Sequence, residues 1–229
     1  MEQSIEGSNP SPSASTIKYR SDPSAIIINM GDTDYWKNKW LSRPKEPANN
    51  FAVRAYKLIK NKKSKTLLDV GCGDGRDSVY FFDKGLKITA VDFSASGIKK
   101  LKSQNPDINC VLADIRKIKF KANSFDVIYA HLSLHYFDNK TTSKIFDNLY
   151  SVLKKNGLLF IKCKSTDDAL FGKGQKVGEN MYKKGHTRHF FSKKYMEEKL
   201  KKFRILKIQK TSSVYHNYKS AFIEAIATN

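Results

Sequence analysis

Apolar and polar positions alternate along this chain with two periods. Short apolar runs such as Leu67-Leu68-Asp69-Val70 and Ile88-Thr89-Ala90-Val91 have strand length, and the stretches between them carry apolar residues at helical spacing. Read this way, the pattern predicts strands near 66–70, 87–92, 109–113, 125–130, 158–164, 203–210 and 218–227. Helices are predicted near 76–84, 95–104, 141–155 and 192–202. Strand and helix in turn imply a parallel sheet with helices on both faces, an α/β, doubly wound architecture of seven strands. No helix signal separates the last two strands, so they should close the sheet as an antiparallel C-terminal edge hairpin.

Two helical patterns precede the first strand. Residues 47–61 place Phe51, Ala55, Leu58 and Ile59 on one side of an amphipathic helix. Before it, Asp34 is the expected N-cap of a short helix carrying Tyr35, Trp36 and Trp40, with the tryptophans four residues apart and therefore on one face. Further back, residues 1–20 are rich in Ser, Pro, Gly and Glu and poor in apolar side chains, so 1–30 reads as a disordered tail with an apolar patch at 25–29. The expected organisation is one domain over 31–229, with a helical lid at 31–61 and an insertion at 165–191.

Charge changes the picture modestly. The 229 residues hold 42 Lys and Arg against 22 Asp and Glu, a net charge of +20, which favours an acidic partner such as nucleic acid or an anionic small molecule. The lysines are spread rather than gathered, so a solvated surface explains them equally well. The three cysteines are odd in number and form no Cys-x-x-Cys pair, as expected of a reduced, cytosolic protein. No apolar run approaches the ~18 residues of a membrane span.

The chemistry concentrates at 66–78, TLLDVGCGDGRDS: a strand, a turn holding Gly71, Gly73 and Gly75, and a helix start. Glycines let the backbone approach a ligand, and the helix start offers free N–H donors. About 20 residues on, the next strand closes on Asp92, where nucleotide folds place the carboxylate that binds ribose hydroxyls. A dinucleotide fingerprint from Gly71 would need glycine at 76, and Arg76 stands there. The pattern instead resembles motif I of class I S-adenosylmethionine-dependent methyltransferases. VLADI at 111–115, SFDVIYA at 124–130 and LKKNGLLFIK at 153–162 resemble the family's later strands in the right order.

The resemblance implies S-adenosylmethionine as cofactor, with S-adenosylhomocysteine as product. Asp69, Gly71 and Gly73 would then hold its methionine part and Asp92 its ribose. Phe93 and Ile115 would pack on the adenine, Asp114 would accept the adenine amino group, and Ala130 and His131 would touch the cofactor at the fourth strand end. Asp69 could instead pair within its loop, and Asp114 could cap the turn that follows. Methyltransferases of base amino groups carry Asn/Asp-Pro-Pro-Tyr/Phe at this place, whereas AHLSLHYF stands at 130–137, which argues against a nucleic-acid acceptor. The segment resembles that of small-molecule members, where a histidine faces the substrate. His135 would take a proton from the nucleophile; a buried packing histidine is its rival.

Residues 164–191 form a long polar stretch, read as a functional loop. GHTRHFFS at 185–192 gathers His186, Arg188 and His189 before a capping Ser192, in a layout resembling the tellurite-resistance (TehB-like) branch. An arginine there suits an oxyanion or carboxylate. Arg188 and His189 join His135 as catalytic candidates, and Trp36, Tyr136, Tyr182, His186 and Arg188 as substrate contacts. His-x-x-His lacks a third ligand, so no metal is expected. The resulting expectation is methyl transfer to a small-molecule nucleophile. The alternatives are an RNA or protein methyltransferase and a non-catalytic cofactor-binding protein.

Overall fold

The computed structural model describes residues 30–215 and 218–229; the expectations for residues 1–29, including the apolar patch at 25–29, lie outside these. One sheet of seven strands organises the molecule, in the order β3-β2-β1-β4-β5-β10-β9. Its strands are β1 (Thr66–Val70), β2 (Lys87–Asp92), β3 (Asn109–Leu112), β4 (Phe125–His131), β5 (Leu153–Lys164), β9 (Arg204–Tyr215) and β10 (Tyr218–Thr228). The first five run parallel, and β10 is antiparallel to both β5 and β9. Fold class and edge hairpin are therefore as the alternation predicts.

Six helices accompany the sheet: α1 (Met30–Ser42), α2 (Asn50–Ile59), α3 (Arg76–Asp83), α4 (Ala95–Gln104), α5 (Asn139–Val152) and α6 (Lys193–Lys199). Two buried clusters lie on opposite faces. Ile128, Phe146, Leu149, Leu159 and Ile161 belong to one; Phe51, Leu67, Phe81, Val127 and Phe160 belong to the other. The period-two pattern of a strand sends neighbouring residues such as Val127 and Ile128 to opposite sides, which fills both layers. At the far edge from the site, Asp126 accepts from the Lys65 and Thr66 amides and from Lys154, pinning the starts of β1 and β4 and holding its own pKa down at about 2 against its burial.

Several boundaries differ from expectation. The helix expected to begin after Asp34 is already formed at Met30, so Asp34 lies inside α1 rather than at its cap. The helix at 47–61 contracts to Asn50–Ile59 because the Asn49 side chain accepts from the Phe51 and Ala52 amides. β5 begins at Leu153, within the stretch expected to end a helix. The largest correction is at 164–191, read as a loop. It folds into a second sheet of three antiparallel strands, β6 (Gln175–Gly178), β7 (Met181–Lys184) and β8 (His186–His189). Each turn of this meander uses a residue at positive φ, Asn180 at +52° between β6 and β7 and Gly185 at +76° between β7 and β8. Among the described residues no helix is long and apolar enough to cross a membrane.

Candidate active site

The carboxyl ends of β1, β2, β3 and β4 open onto one cleft of about 1240 Å³, closed on its outer side by α1 and by β8. Gly71 shows how tightly two of those ends meet. It has φ +74°, and a Cβ placed on it would lie 2.3 Å from the Ser133 Cβ. The Ser133 hydroxyl in turn donates to the Val70 carbonyl at 2.5 Å. Only glycine allows this approach, and Leu132, at φ +57°, carries backbone strain on the β4 side of the same contact.

Asp92 ends β2 facing the cleft, and it is 7% exposed. Its two oxygens accept from the Gly73 amide and from the Ser94 amide, each at 2.8 Å. Burial pushes its pKa up, while these donors pull the other way. Each oxygen uses one of two lone pairs, so an acceptor remains on each for a further donor. Phe93, Ala113 and Ile115 supply apolar cleft wall beside it. Asp114 also lines the cleft, with its carboxylate bound to the Arg116 guanidinium and its Oδ1 accepting from the Arg116 amide at 2.9 Å. It therefore caps its own turn while facing the cleft.

Other residues singled out from the sequence sit elsewhere. Asp69 does not line the cleft: its carboxylate turns into the protein and accepts from the Ser78 hydroxyl of α3 at 2.6 Å. Burial, with Asp77 and Asp92 nearby, pushes its pKa up to about 8. Gly73 lies under the Trp40 ring, which a Cβ would meet at 2.6 Å. Trp40 thus fastens α1 onto the glycine loop, and its Nε1 is buried at the cleft without a hydrogen-bond partner. Ala130 is fully buried in the core. Tyr182 packs edge-on against Phe171 and Phe190, away from the cleft wall.

The histidines divide in the same way, for a simple reason. On β8, His186 and Arg188 are two residues apart and share one face, whereas His189, three from His186, lies on the other. His186 and Arg188 line the cleft. His189 is buried outside it, its Nδ1 hydrogen-bonded to the Phe137 carbonyl at 3.0 Å and its ring against Phe191 and Tyr195. The odd spacing keeps the His-x-x-His pair apart. His135, in a single 3-10 turn at Leu134–Tyr136, is 1% exposed and lines the cleft with its Nδ1 buried and unpartnered. Burial, then Lys164 and Arg188, hold its pKa well below the usual imidazole range, so it is neutral at pH 7. His131 lines the cleft beside Lys162 and is held neutral likewise.

Facing these groups from α1, Trp36 stacks on Trp40 and meets the Tyr136 ring edge-on at 5.5 Å. Sequence reasoning missed the polar end of the cleft, where Glu46 accepts from Arg43 and Arg76, and Arg43 also reaches Asp74. It missed Glu224 as well, a buried carboxylate on β10 that binds Arg54 at 2.7 Å and Lys162 at 3.0 Å. Apart from the neighbouring Arg43 and Glu46, both sets join residues from elements far apart in the chain and so leave little local signal. The one mark of Glu224 is a charge in the apolar run Ala221-Phe222-Ile223-Glu224-Ala225-Ile226.

Residues 68–161 match a family described as a methyltransferase domain. A malonyl-[acyl-carrier protein] O-methyltransferase of Enterobacter lignolyticus is 27% identical over 134 residues, covering 58% of this chain and 52% of that protein. The chain spans about half the length of the curated relatives it matches. Among solved structures, a SAM-dependent methyltransferase of Methanosarcina mazei superposes with a TM-score of 0.67 at 18% identity, covering 80% of this chain and 99% of the other. TehB of Haemophilus influenzae gives 0.62 at 21% identity, covering 86% of this chain and 66% of TehB. At these identities the two structures show a shared fold.

Proposed function

The chain carries a class I, S-adenosylmethionine-dependent methyltransferase domain, and from that premise we propose that it methylates a small-molecule nucleophile bound between the β4 end and β8. The observation that carries the reading is Asp92, a buried strand-end carboxylate with an acceptor left on each oxygen, beside a glycine loop and an apolar wall. These groups suit a ribose with vicinal hydroxyls and a flat base between Phe93 and Ile115. At the other end Arg43, Glu46 and Arg76 offer both signs of charge to an amino-acid tail, and the Trp40 Nε1 offers an unused donor.

When bound, S-adenosylmethionine supplies a methyl group already activated by its sulfonium charge, so alignment and exclusion of water are what the protein contributes. Trp36 and Tyr136 close the outer side of the cleft against solvent. His135 presents a neutral imidazole whose Nδ1 is unshared, placed to orient the acceptor and to receive its proton where it has one. The cations around it disfavour holding that proton, so acceptors that arrive ionised are favoured. Asp69 acts through α3 and the glycine loop, as a positioning residue.

Calorimetry with S-adenosylhomocysteine tests the cofactor half: saturable binding by the wild type is expected, and its absence overturns the reading. A metabolite library incubated with S-adenosylmethionine and read by mass then identifies the acceptor.

A further inference from the structure

Five cations on the cleft wall are neutralised by carboxylates. Arg43 and Arg76 bind Glu46, Arg54 and Lys162 bind Glu224, and Lys164 binds Asp168. Two half-buried ones are not. Among the described residues, Lys39 of α1 and Arg188 of β8 form no ion pair, yet both line the cleft with His186; burial, then Arg43 and Arg188, lower the Lys39 pKa to about 8, and burial, then Arg188 and Lys39, lower that of His186 to about 4. Arg188 donates only to the Lys184 carbonyl, and Lys39 rests over the Trp36 ring at 4.5 Å. His186 is 5% exposed, lines the cleft and keeps a buried Nε2 without a partner. Like charges partly out of water with no ion-pair partner among the described residues, beside an unsatisfied ring nitrogen, are costly unless a ligand completes them. Aromatic rings form the adjoining wall. His186 sits 4.8 Å from Tyr35, 5.7 Å from Trp36 and 5.4 Å from Tyr136.

We propose that this is the acceptor subsite and that it takes a flat ring bearing an oxyanion of the carboxylate class. Lys39, Arg188 and His186 hold the anionic group, and the ring lies against Trp36 and Tyr136. Because Lys39 comes from α1 and Arg188 from β8, the ligand ties the helix over the cleft to the meander on its other side. The term acceptor rests on the methyltransferase reading above; the binding does not.

The chain has two tryptophans, Trp36 at this wall and Trp40 stacked on it over the glycine loop, so tryptophan fluorescence reads this end of the cleft. The full chain is titrated with benzoate, with benzamide and benzylamine as neutral and cationic analogues, and with sulfate as an anion lacking a ring. Benzoate is expected to quench saturably, about tenfold more tightly than benzamide or sulfate, and to weaken in high salt. K39M and R188M should each weaken benzoate about tenfold, roughly 1.4 kcal/mol, with benzamide unchanged and S-adenosylhomocysteine affinity kept within about threefold; K39R should retain most of the affinity. Benzamide or benzylamine binding as tightly as benzoate overturns the anion assignment. Sulfate binding as tightly overturns the ring assignment, and unchanged benzoate affinity in both variants overturns the subsite. Wild-type protein that binds benzoate but not S-adenosylhomocysteine would remove the proposed function and leave the subsite standing.

Discussion

On the β1–β3 side of the cleft, each carboxylate at a strand end already has partners within the protein: Ser78 for Asp69, two backbone amides for Asp92, Arg116 for Asp114. On the side of the 3-10 turn and β8, His135 and His186 each keep a buried nitrogen without one, and Lys39 and Arg188 have no carboxylate among the described residues. The first side is a set of short local contacts that hold a loop in one shape. The second spends stability on groups left open, as expected where a ligand supplies the missing partner. Perturbing the first side should cost fold and cofactor together; perturbing the second should cost chemistry and leave the fold alone.

Gly71→Ala should break the first side most completely. It adds left-handed strain and a clash with Ser133, together about 3 kcal/mol, or roughly 10 °C in Tm. S-adenosylhomocysteine affinity should fall about 100-fold by calorimetry. Adding Ser133→Gly should restore part of the stability by removing the clash while the φ strain stays; no recovery would mean that the close approach does not matter. Next, Asp92→Ala should weaken cofactor binding about 100-fold and also lower Tm, because the Gly73 and Ser94 amides lose their partner at about 1–3 kcal/mol each. Unchanged affinity would refute the ribose assignment.

The two histidines sharpen the contrast. His189→Gln should lower Tm by a few degrees, since it loses a bond to Phe137 and ring packing worth about 1 kcal/mol or more, with turnover per folded molecule unchanged. His135→Gln should do the reverse, lowering kcat about tenfold or more with Tm kept, since its Nδ1 makes no bond to lose. If both variants behave alike, the division is wrong.

The smallest effect expected is in pH dependence, and its sign differs between the sides. Burial, then Arg188 and Lys39, hold the His186 pKa at about 4. The unfolded chain therefore takes up that proton first, and stability present above about pH 6.5 is lost as pH falls toward about 4. Asp69, raised to about 8 by burial, behaves oppositely: its folded form keeps a proton the unfolded form has released, so stability falls as pH rises from about 4 to about 8. Thermal melts at pH 5, 7 and 9 should show His186→Gln flattening the acid side and Asp69→Asn the alkaline side, each by a few degrees.

Much of the β1–β3 wall of the cleft was legible because its signals are contiguous. The glycine turn follows β1 directly, and Asp92, Phe93, Asp114 and Ile115 each stand at a strand end that alternation alone locates. Asp69 and Ala130 were misplaced because a strand sends successive side chains to opposite faces, and which face meets the cleft depends on what packs behind it. The β8 side was less legible. A 28-residue polar stretch reads as a loop when its strands are four residues each and apolar on neither face. Once β8 is a strand, period two separates His186 and Arg188 from His189.

The amino-acid sequence by itself determined the order of strands and helices, the edge hairpin, the glycine loop and the carboxylates that face it, because these follow from patterns within about ten residues of one another. Tertiary structure alone decided that Lys39 and Arg188 line one cleft, that Trp40 lies on Gly73, and that Glu224 neutralises Arg54 and Lys162. Such pairings join residues 33 to 170 positions apart. Chain proximity carries no trace of them, since only the packing of helices and meander against the sheet brings those side chains within reach.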